Sequence, residues 1–577
     1  MKSRVPNRYL AMSAAVAAAL TAPAVHALDF TGFVRAEPSY SLSSEANPFN
    51  QNGNIFNGVT VNNATLGGSQ TRPASFSDEP DWNMMNFRAE IDGQHRFSDN
   101  LSAYVKFRTY FDQTQEVEDV YEEVDFFGVP FNGSRRATLL ETNEDNWMAD
   151  FPALYLDYNK GPLWLRFGNQ QIAWGEAIFF RVMDVPNGLD LRRHAFLDVA
   201  GEEYSDERVA SPALRGSYSF DNGFEIDAFV QKFSPTVLPN ENTPYNIIPS
   251  QFVINQEPGY DQVDNEWNYG ARLTMPVTDS LTIIAMAVDR HNPDGVFRWS
   301  EAQGPNAIVG TPFEMDPRGV YSSEEWFTYA GMARLDGVKG VDSVYQDFAS
   351  AEALRTFFGL PQVTDRASAR TNLDAFFGTV GPLRGWLTRE YPSEKVYGIG
   401  ANYIFNAEPG SFLDQLVVRG ELTYTPDRKF TNPSLSRNYI EEDEIVLSLI
   451  AEKYQRFSED FPATFMVFEW LYKSESDLFG RHLSGMDNDG EPKGVNNYNA
   501  FVFAALQPFP NLIWRADLAV LVDTRGGWLV QPGVRYKPSA NWQFDVYANF
   551  IGGSGNDDAL QTFDFADEIF ARFTRYF

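Results

Sequence analysis

Residues 86–111, NFRAEIDGQHRFSDNLSAYVKFRTYF, alternate apolar and polar side chains on either side of a turn. Phe87, Ala89, Ile91, Gly93 and Phe97 interleave with Arg88, Glu90, Asp92, Gln94 and Arg96. After Ser98-Asp99-Asn100, Leu101, Ala103, Val105 and Phe107 interleave with Ser102, Tyr104, Lys106 and Arg108. Successive side chains of a strand point to opposite faces, so this pattern predicts a hairpin with one apolar and one charged face. A soluble protein would turn the apolar face to a core. A membrane barrel turns it to lipid and lines a wet lumen with the other face.

The spacing of the turns chooses between these. Short turns are predicted at Asn159–Pro162, Asp221–Gly223, Thr278–Ser280, Asn406–Asp414, Ser458–Asp460, Pro508–Asn511 and Pro538–Asn541, besides the first at Ser98–Asn100. Much longer connections separate them. Short periplasmic turns alternating with long external loops are the signature of an outer-membrane barrel. The eight hairpins, a first strand near Phe30–Leu42 and a last near Ala566–Phe577 predict an all-β transmembrane antiparallel barrel of about 18 strands, with both termini on the periplasmic side. Sixteen is the fallback, because Glu444–Gln455 and Tyr498–Leu506 are apolar on both faces and suit a helix or a buried strand equally. The chain ends FARFTRYF, with Phe573 and Phe577 in an alternating terminal strand that Arg575 interrupts. Aromatic residues make up 15% of the chain, and Trp514, Trp528, Tyr536, Trp542 and Phe550 fall near strand ends, where girdles form at the lipid–water boundary.

One connection stands apart. Residues 293–392 form a loop longer than structureless loops reach. Ser343–Phe358 carries Val344, Phe348, Ala351 and Phe358 at helical spacing, with Gly359 and Pro361 as stops, and Thr364–Phe377 is a second candidate helix. An amphipathic face needs a surface to cover, so the insertion is expected to be a partly helical cap or inward plug, with a separate partner-binding domain as the alternative.

The N-terminus assigns the compartment. Lys2, Arg4 and Arg8 precede an Ala-rich apolar stretch, and Val25-His26-Ala27 offers a cleavage site, so residues 1–27 read as a signal peptide and the barrel as 28–577. The chain lacks cysteine, which excludes disulfides. A formal charge of −32 excludes nucleic acid as a partner and is assigned to acidic surface loops.

Local motifs for chemistry are absent from the sequence. His95, His194, His291 and His482 lack metal-site spacing, and neither a GxSxG elbow nor a Walker loop occurs. Met486–Pro492, MDNDGEP, resembles a calcium loop, but its Gly490 falls at the fourth place from Asp487 instead of the sixth; a solvated turn fits better. Enzyme activity and cofactors are therefore not expected. The alternation places Arg88, Glu90, Lys106, Arg108, Arg166, Arg272, Arg419, Glu421, Arg515, Asp517, Arg535 and Asp545 on the lumen face. Each reads most simply as half of an ion pair, and together they could set selectivity as charged rings do.

Residues 163–193, LWLRFGNQQIAWGEAIFFRVMDVPNGLDLRR, break the alternation. Trp164, Arg166, Gly168 and Gln170 face the lumen, Leu163, Leu165 and Phe167 the lipid, and Gly168 and Gly175 bracket the point where the pattern fails. The chain is predicted to turn inward near Trp174 and to set Glu176, Arg181, Asp184, Asp190, Arg192 and Arg193 in charge-assisted contacts at the barrel mouth. A structural brace is the first reading, a ligand gate the second, and catalysis ranks below both. The stretch resembles the signature of a proteobacterial family catalogued as domain of unknown function thirteen-oh-two: Gly168, Gln170, Trp174-Gly175-Glu176, Asp184, Pro186-Asn187, then Asp190-Leu191-Arg192. Pro186-Asn187 inverts the more usual Asn-Pro. Ser234–Asn246, SPTVLPNENTPYN, and the final strand extend the resemblance along the chain.

The resemblance implies an outer-membrane barrel without established catalytic residues. It also implies genes for a periplasmic lipoprotein and a resistance-nodulation-division type exporter nearby, in bacteria that handle lipids, steroids or aromatic compounds. Two functions follow as expectations: a channel or transporter for a hydrophobic or amphipathic small molecule in contact with outer-membrane lipids, or the outer-membrane component of a trans-envelope lipid or export system. An outer-membrane hydrolase ranks third. The candidate lumen or gate residues are Arg88, Arg108, Arg166, Gln170, Trp174, Glu176, Arg181, Asp184, Asp190 and Arg192.

Overall fold

The computed structural model describes residues 29–63, 65, 67–74, 80–129, 134–192, 207–485, 496–554 and 558–577. Residues 1–27, read above as a signal peptide, Arg193, His194 and the turn at Met486–Pro492 lie outside the described residues.

Eighteen strands close one antiparallel barrel. They are β1 (Asp29–Ser41), β2 (Trp82–Arg96), β3 (Leu101–Asp112), β4 (Trp147–Lys160), β5 (Leu163–Gln170), β6 (Ser211–Ser219), β7 (Glu225–Lys232), β8 (Trp267–Pro276) and β9 (Leu281–His291). The second half comprises β10 (Ser393–Ile404), β11 (Val417–Phe430), β12 (Ile440–Gln455), β13 (Thr464–Lys473), β14 (Tyr498–Pro508), β15 (Trp514–Asp523), β16 (Trp528–Ser539), β17 (Trp542–Gly552) and β18 (Glu568–Tyr576). Each pairs with its neighbours in the chain, and β18 closes on β1 with Phe33 opposite Tyr576 and Ser41 opposite Glu568. A short strand, Glu141–Glu144, extends the sheet beside β4. Closure leaves no free edge, the condition for backbone polar groups to be paired in lipid.

All eight predicted short turns join strands. The loop sorting is less complete than the sequence suggested: the external connections 431–439 and 524–527 are also short. Alternation holds on the wall, with Phe87 48% exposed to the lipid side and Arg88 5% exposed on the inside. Trp514, Trp528 and Trp542 open their strands and project outward. Arg575, the break in the terminal pattern, reaches the periplasmic rim and lies over the Trp542 ring at 5.3 Å, so its charge sits at the aromatic girdle.

The two segments that read as helix or strand are β12 and β14. Both faces of β14 are apolar because both meet apolar surroundings, whereas the inner face of β12 carries buried Glu444 and Ser448 among its apolar residues. Ile445 and Leu449 of β12 and Phe503 of β14 face lipid. Ile450, Val467, Leu471, Ala500, Val502, Ala504, Leu521, Leu529 and Ile551 form an apolar wall inside the barrel, packed against Phe179, Phe180 and Val182. The lumen thus carries an apolar patch on β12–β17 beside the inward segment, with ion pairs such as Arg515–Asp517 and Arg535–Asp545 elsewhere on the same strands.

The 293–392 insertion builds a core together with Phe252 and Leu435 of two neighbouring connections. Four short strands, Phe252–Asn255, Val296–Trp299, Phe313–Val320 and Leu383–Glu390, form a sheet, the first parallel to the last. Four helices cover it: α1 (Ser323–Met332), α2 (Gly337–Asp347), α3 (Ala349–Phe357) and α4 (Arg366–Val380). Trp299 stacks on Trp326 at 6.1 Å, and Val344, Ala351, Leu373 and Phe376 complete the cluster. The insertion docks on other external connections: Trp299 N–H donates to Leu435 O (2.8 Å), Ser343 Oγ to Ser434 O (2.6 Å), and Arg72 pairs with Glu325 (2.7 Å). The single helix predicted over Ser343–Phe358 is two. Phe348 is extended (φ −126°, ψ 105°) between them, with its ring buried in the cluster. The helix before the break starts earlier, where Asp336 accepts from Val338 and Lys339 N–H.

Candidate functional site

The inward segment begins where β5 ends. Gly168 has φ +138°, and a Cβ there would lie 2.3 Å from Leu154 O, so only glycine lets the strands approach and the chain leave the wall. Gln170 donates to Ala213 O (3.1 Å) at the root. Asn187 closes the loop on itself, donating to Ile172 O (2.8 Å) and accepting from Gln231 (2.9 Å). At Gly175 the two arms touch; a Cβ would meet Asp184 N at 2.7 Å.

Trp174 turns inward, 1% exposed. Its indole N–H donates to Asp227 Oδ2 (3.2 Å), its ring meets Phe229 edge-on at 4.9 Å, and Arg272 donates to its carbonyl (3.2 Å). Beyond it the segment crosses to the opposite wall, and two buried carboxylates receive its backbone. Glu421 of β11 accepts the N–H groups of Glu176 and Met183 (3.0 Å for Met183). Glu469 of β13 accepts those of Ile178 (3.1 Å) and Phe179 (2.9 Å) and the hydroxyl of Ser448 (2.9 Å). The Glu176 carboxylate pairs with Arg419 (3.4 Å).

The remaining candidates divide by position. Arg181 staples the segment, donating to Asp184 O (2.7 Å) and Asn187 O (2.6 Å), and Asp184 also pairs with Arg208 (2.8 Å). Asp190 and Arg192 lie at the far end of the loop, where Arg192 bridges Asp190 (2.8 Å) and Glu141 (2.9 Å). Arg88, Arg108 and Arg166 stay on the wall in separate pairs, with Glu90 (2.9 Å), Asp150 (2.6 Å) and Asp157 (2.7 Å). Glu421 is inward by alternation alone. Glu469 escaped the sequence reading, since its partners are main-chain amides of a distant segment.

Above the crossing lies a cavity of about 360 Å3. Phe179, Phe180 and Val182 line one side and Val446, Leu471, Leu521, Leu529 and Ile551 the other. Arg181, Arg290, Asp294, Arg428, Glu444 and Lys473 form a charged pole. Burial acts to raise the Asp294 carboxyl, but the Thr236 hydroxyl (2.6 Å) and Arg181, Arg290 and Arg428 outweigh it and hold it below the usual carboxylate range. The cavity can therefore receive a molecule with an apolar body and a polar group. Among the described residues, one group of potential metal ligands assembles, Glu442, Glu475 and His482, at the rim.

No curated protein matches the chain. Among solved structures it is similar to Salmonella typhi OmpF in complex with daunomycin (9% identity, TM-score 0.34, covering 95% of this chain and 97% of that one). It is likewise similar to a loop-deletion mutant of OmpT, an outer membrane protein of Vibrio cholerae (8%, TM-score 0.33, 96% and 99%), and to a mutant porin of Rh. blastica (10%, TM-score 0.32, 96% and 99%). Closed barrels with a lipid-facing apolar belt belong to the outer membrane, where they serve as channels and transporters. Residues 8–577 match the family described as protein of unknown function, DUF1302, and the chain belongs to that family.

Proposed function

We propose that the protein is a gated outer-membrane passage for an amphipathic small molecule of the lipid, steroid or aromatic class, with the 171–192 segment as its gate. The observation that carries this reading is the apolar patch inside the lumen. An apolar inner wall is foreign to a purely aqueous pore, whose interior is polar. Here that wall faces the inward segment across a cavity of about 360 Å3 with charge at one end, within the range of roughly 300–1,000 Å3 typical of small-molecule sites. The gate rests on the wall through Phe179 and Phe180 and is tied by Glu421 and Glu469. A ligand with an apolar body competes for the surface those rings cover, while the ties return the segment afterwards.

Reconstitution tests this. Vesicles carrying the purified barrel should take up a fluorescent amphiphile faster than empty vesicles. The double variant Glu421→Ala, Glu469→Ala should show raised ion conductance in planar bilayers. Uptake equal to that of empty vesicles for both proteins, with no change in conductance, would sink the reading.

A further inference from the structure

Lys473 closes β13 two residues beyond Leu471 on the same inner face. Its stem continues the apolar patch, and its ammonium enters the polar end of the cavity. Register sets it in one row with Val446 of β12 and Thr423 of β11. Among the described residues the ammonium donates one hydrogen bond, to Asp477 O (2.8 Å), and makes no ion pair. The acids whose fields reach it are engaged elsewhere. Glu444 accepts from Arg428 on one oxygen and from the Ser476 hydroxyl on the other. Asp477 accepts the N–H groups of Phe479 (2.9 Å) and Arg481 (3.0 Å) on one oxygen and the Arg481 side chain (2.8 Å) on the other. Asp294 accepts from Thr236 (2.6 Å). The remaining cations of this pole are paired, Arg181 with Asp184 (3.3 Å) and Arg290 with Glu394 (2.7 Å).

An ammonium carries three donors, so two of this one's remain for a molecule in the cavity. Water can serve them while the cavity is wet. A ligand with an apolar body displaces that water. Its head must then supply both the hydrogen bonds and the counter-charge, because a buried charge left unpaired is costly. A neutral hydroxyl supplies only the first. A dianion brings one charge too many beside Glu444 and Asp294. Thr423 and Thr425, whose hydroxyls make no hydrogen bond among the described residues, line the same cavity and can donate to a second oxygen of the head. We propose that the cavity selects singly charged anionic amphiphiles, a carboxylate or sulfonate on an apolar body, with Lys473 receiving the head and Leu471, Leu521 and Leu529 the body. The inference rests on the reading of this cavity as the amphiphile site and adds the sign of the molecule's charge.

Binding to the whole barrel in lipid nanodiscs, with empty nanodiscs subtracted, tests this with heads that share one body. Dodecanoate should bind about tenfold tighter than dodecanol, the gain typical of a hydrogen bond to a charged group. Dodecyl phosphate, a dianion at about pH 8, should bind more weakly than dodecanoate. Lys473→Met should bring acid and alcohol to equal affinity, and Lys473→Arg should keep the preference. Heat-modifiable mobility on gels reports folding. If Lys473→Met misfolds, Lys473→Gln and the native protein's own preference decide. Equal affinity for acid and alcohol in the native protein, tighter binding of the dianion, or a preference that survives in folded Lys473→Met or Lys473→Gln would overturn the proposal. If the acid is preferred through Lys473 but amphiphile uptake fails, the site stands and the transport reading falls. If uptake proceeds with no preference for the acid, the transport reading stands and this inference falls.

Discussion

Glu469 illustrates how the inward segment is held: a buried carboxylate accepting main-chain amides from 290 residues away. The two amides share Oε2 while the Ser448 hydroxyl takes Oε1, so glutamine would still offer them an oxygen and alanine is the substitution that removes the acceptor. A buried donor left without an acceptor costs about 1–3 kcal/mol. Glu469→Ala should therefore speed amide exchange at Ile178 and Phe179 by more than tenfold while leaving the strands protected; unchanged exchange would show that the carboxylate does not tie the segment. The inward turn at Trp174 is legible because alternation fails between two glycines. The receptor for that turn is not. Main-chain N–H groups carry no residue signature, and nothing local marks Glu469 as different from any other lumen carboxylate. The same holds for Glu442, Glu475 and His482, which fold into contact from a strand and a loop with no shared spacing.

At the scale of elements, lipid makes strands readable. Every membrane strand must show one apolar face to the bilayer, so the period-2 pattern survives even where turns vary. Ile399, in the middle of β10 and 54% exposed to the lipid side, tests this. Ile399→Arg should destabilise the barrel by about 2–4 kcal/mol, read by denaturant unfolding in lipid vesicles; a cost near zero would place β10 out of the bilayer. The cap is less legible for a related reason. Helix α1 buries Ser323, Glu325, Trp326, Phe327, Tyr329, Ala330 and Gly331, so no polar face gives it a 3.6-residue rhythm. Its sheet uses strands as short as four residues, whose partner Leu383–Glu390 lies far along the chain. In contrast α4, with a capping box at Asp365 and Ser368, was visible.

At the scale of the molecule, the insertion leaves the barrel at Asp294, which accepts from the Thr236 hydroxyl (2.6 Å) and lies in the field of Arg181, Arg290 and Arg428. Its carboxyl is held below 3.8, so its contribution to stability is present above the unfolded value and lost as pH falls through the folded one. Protease resistance at the start of the 293–392 insertion should hold at neutral pH and weaken in acid as the Asp294 carboxyl protonates; Asp294→Asn should flatten that acid limb. Loosening on raising pH from about 6 to 8, across the histidine range, would contradict this.

The ties made by Glu421 and Glu469 carry a last consequence. They hold the crossing segment by its peptide groups, so the lock is indifferent to what the tethered residues carry as side chains. Under the proposed gate, Phe179 and Phe180 can drift or be redesigned to fit another molecule while these ties persist. Proline at 176, 178, 179 or 183, which supplies no N–H, is the substitution the latch rejects. The segment thus resembles an exchangeable cartridge in a fixed holder, and related chains can keep the holder while diverging in what they admit.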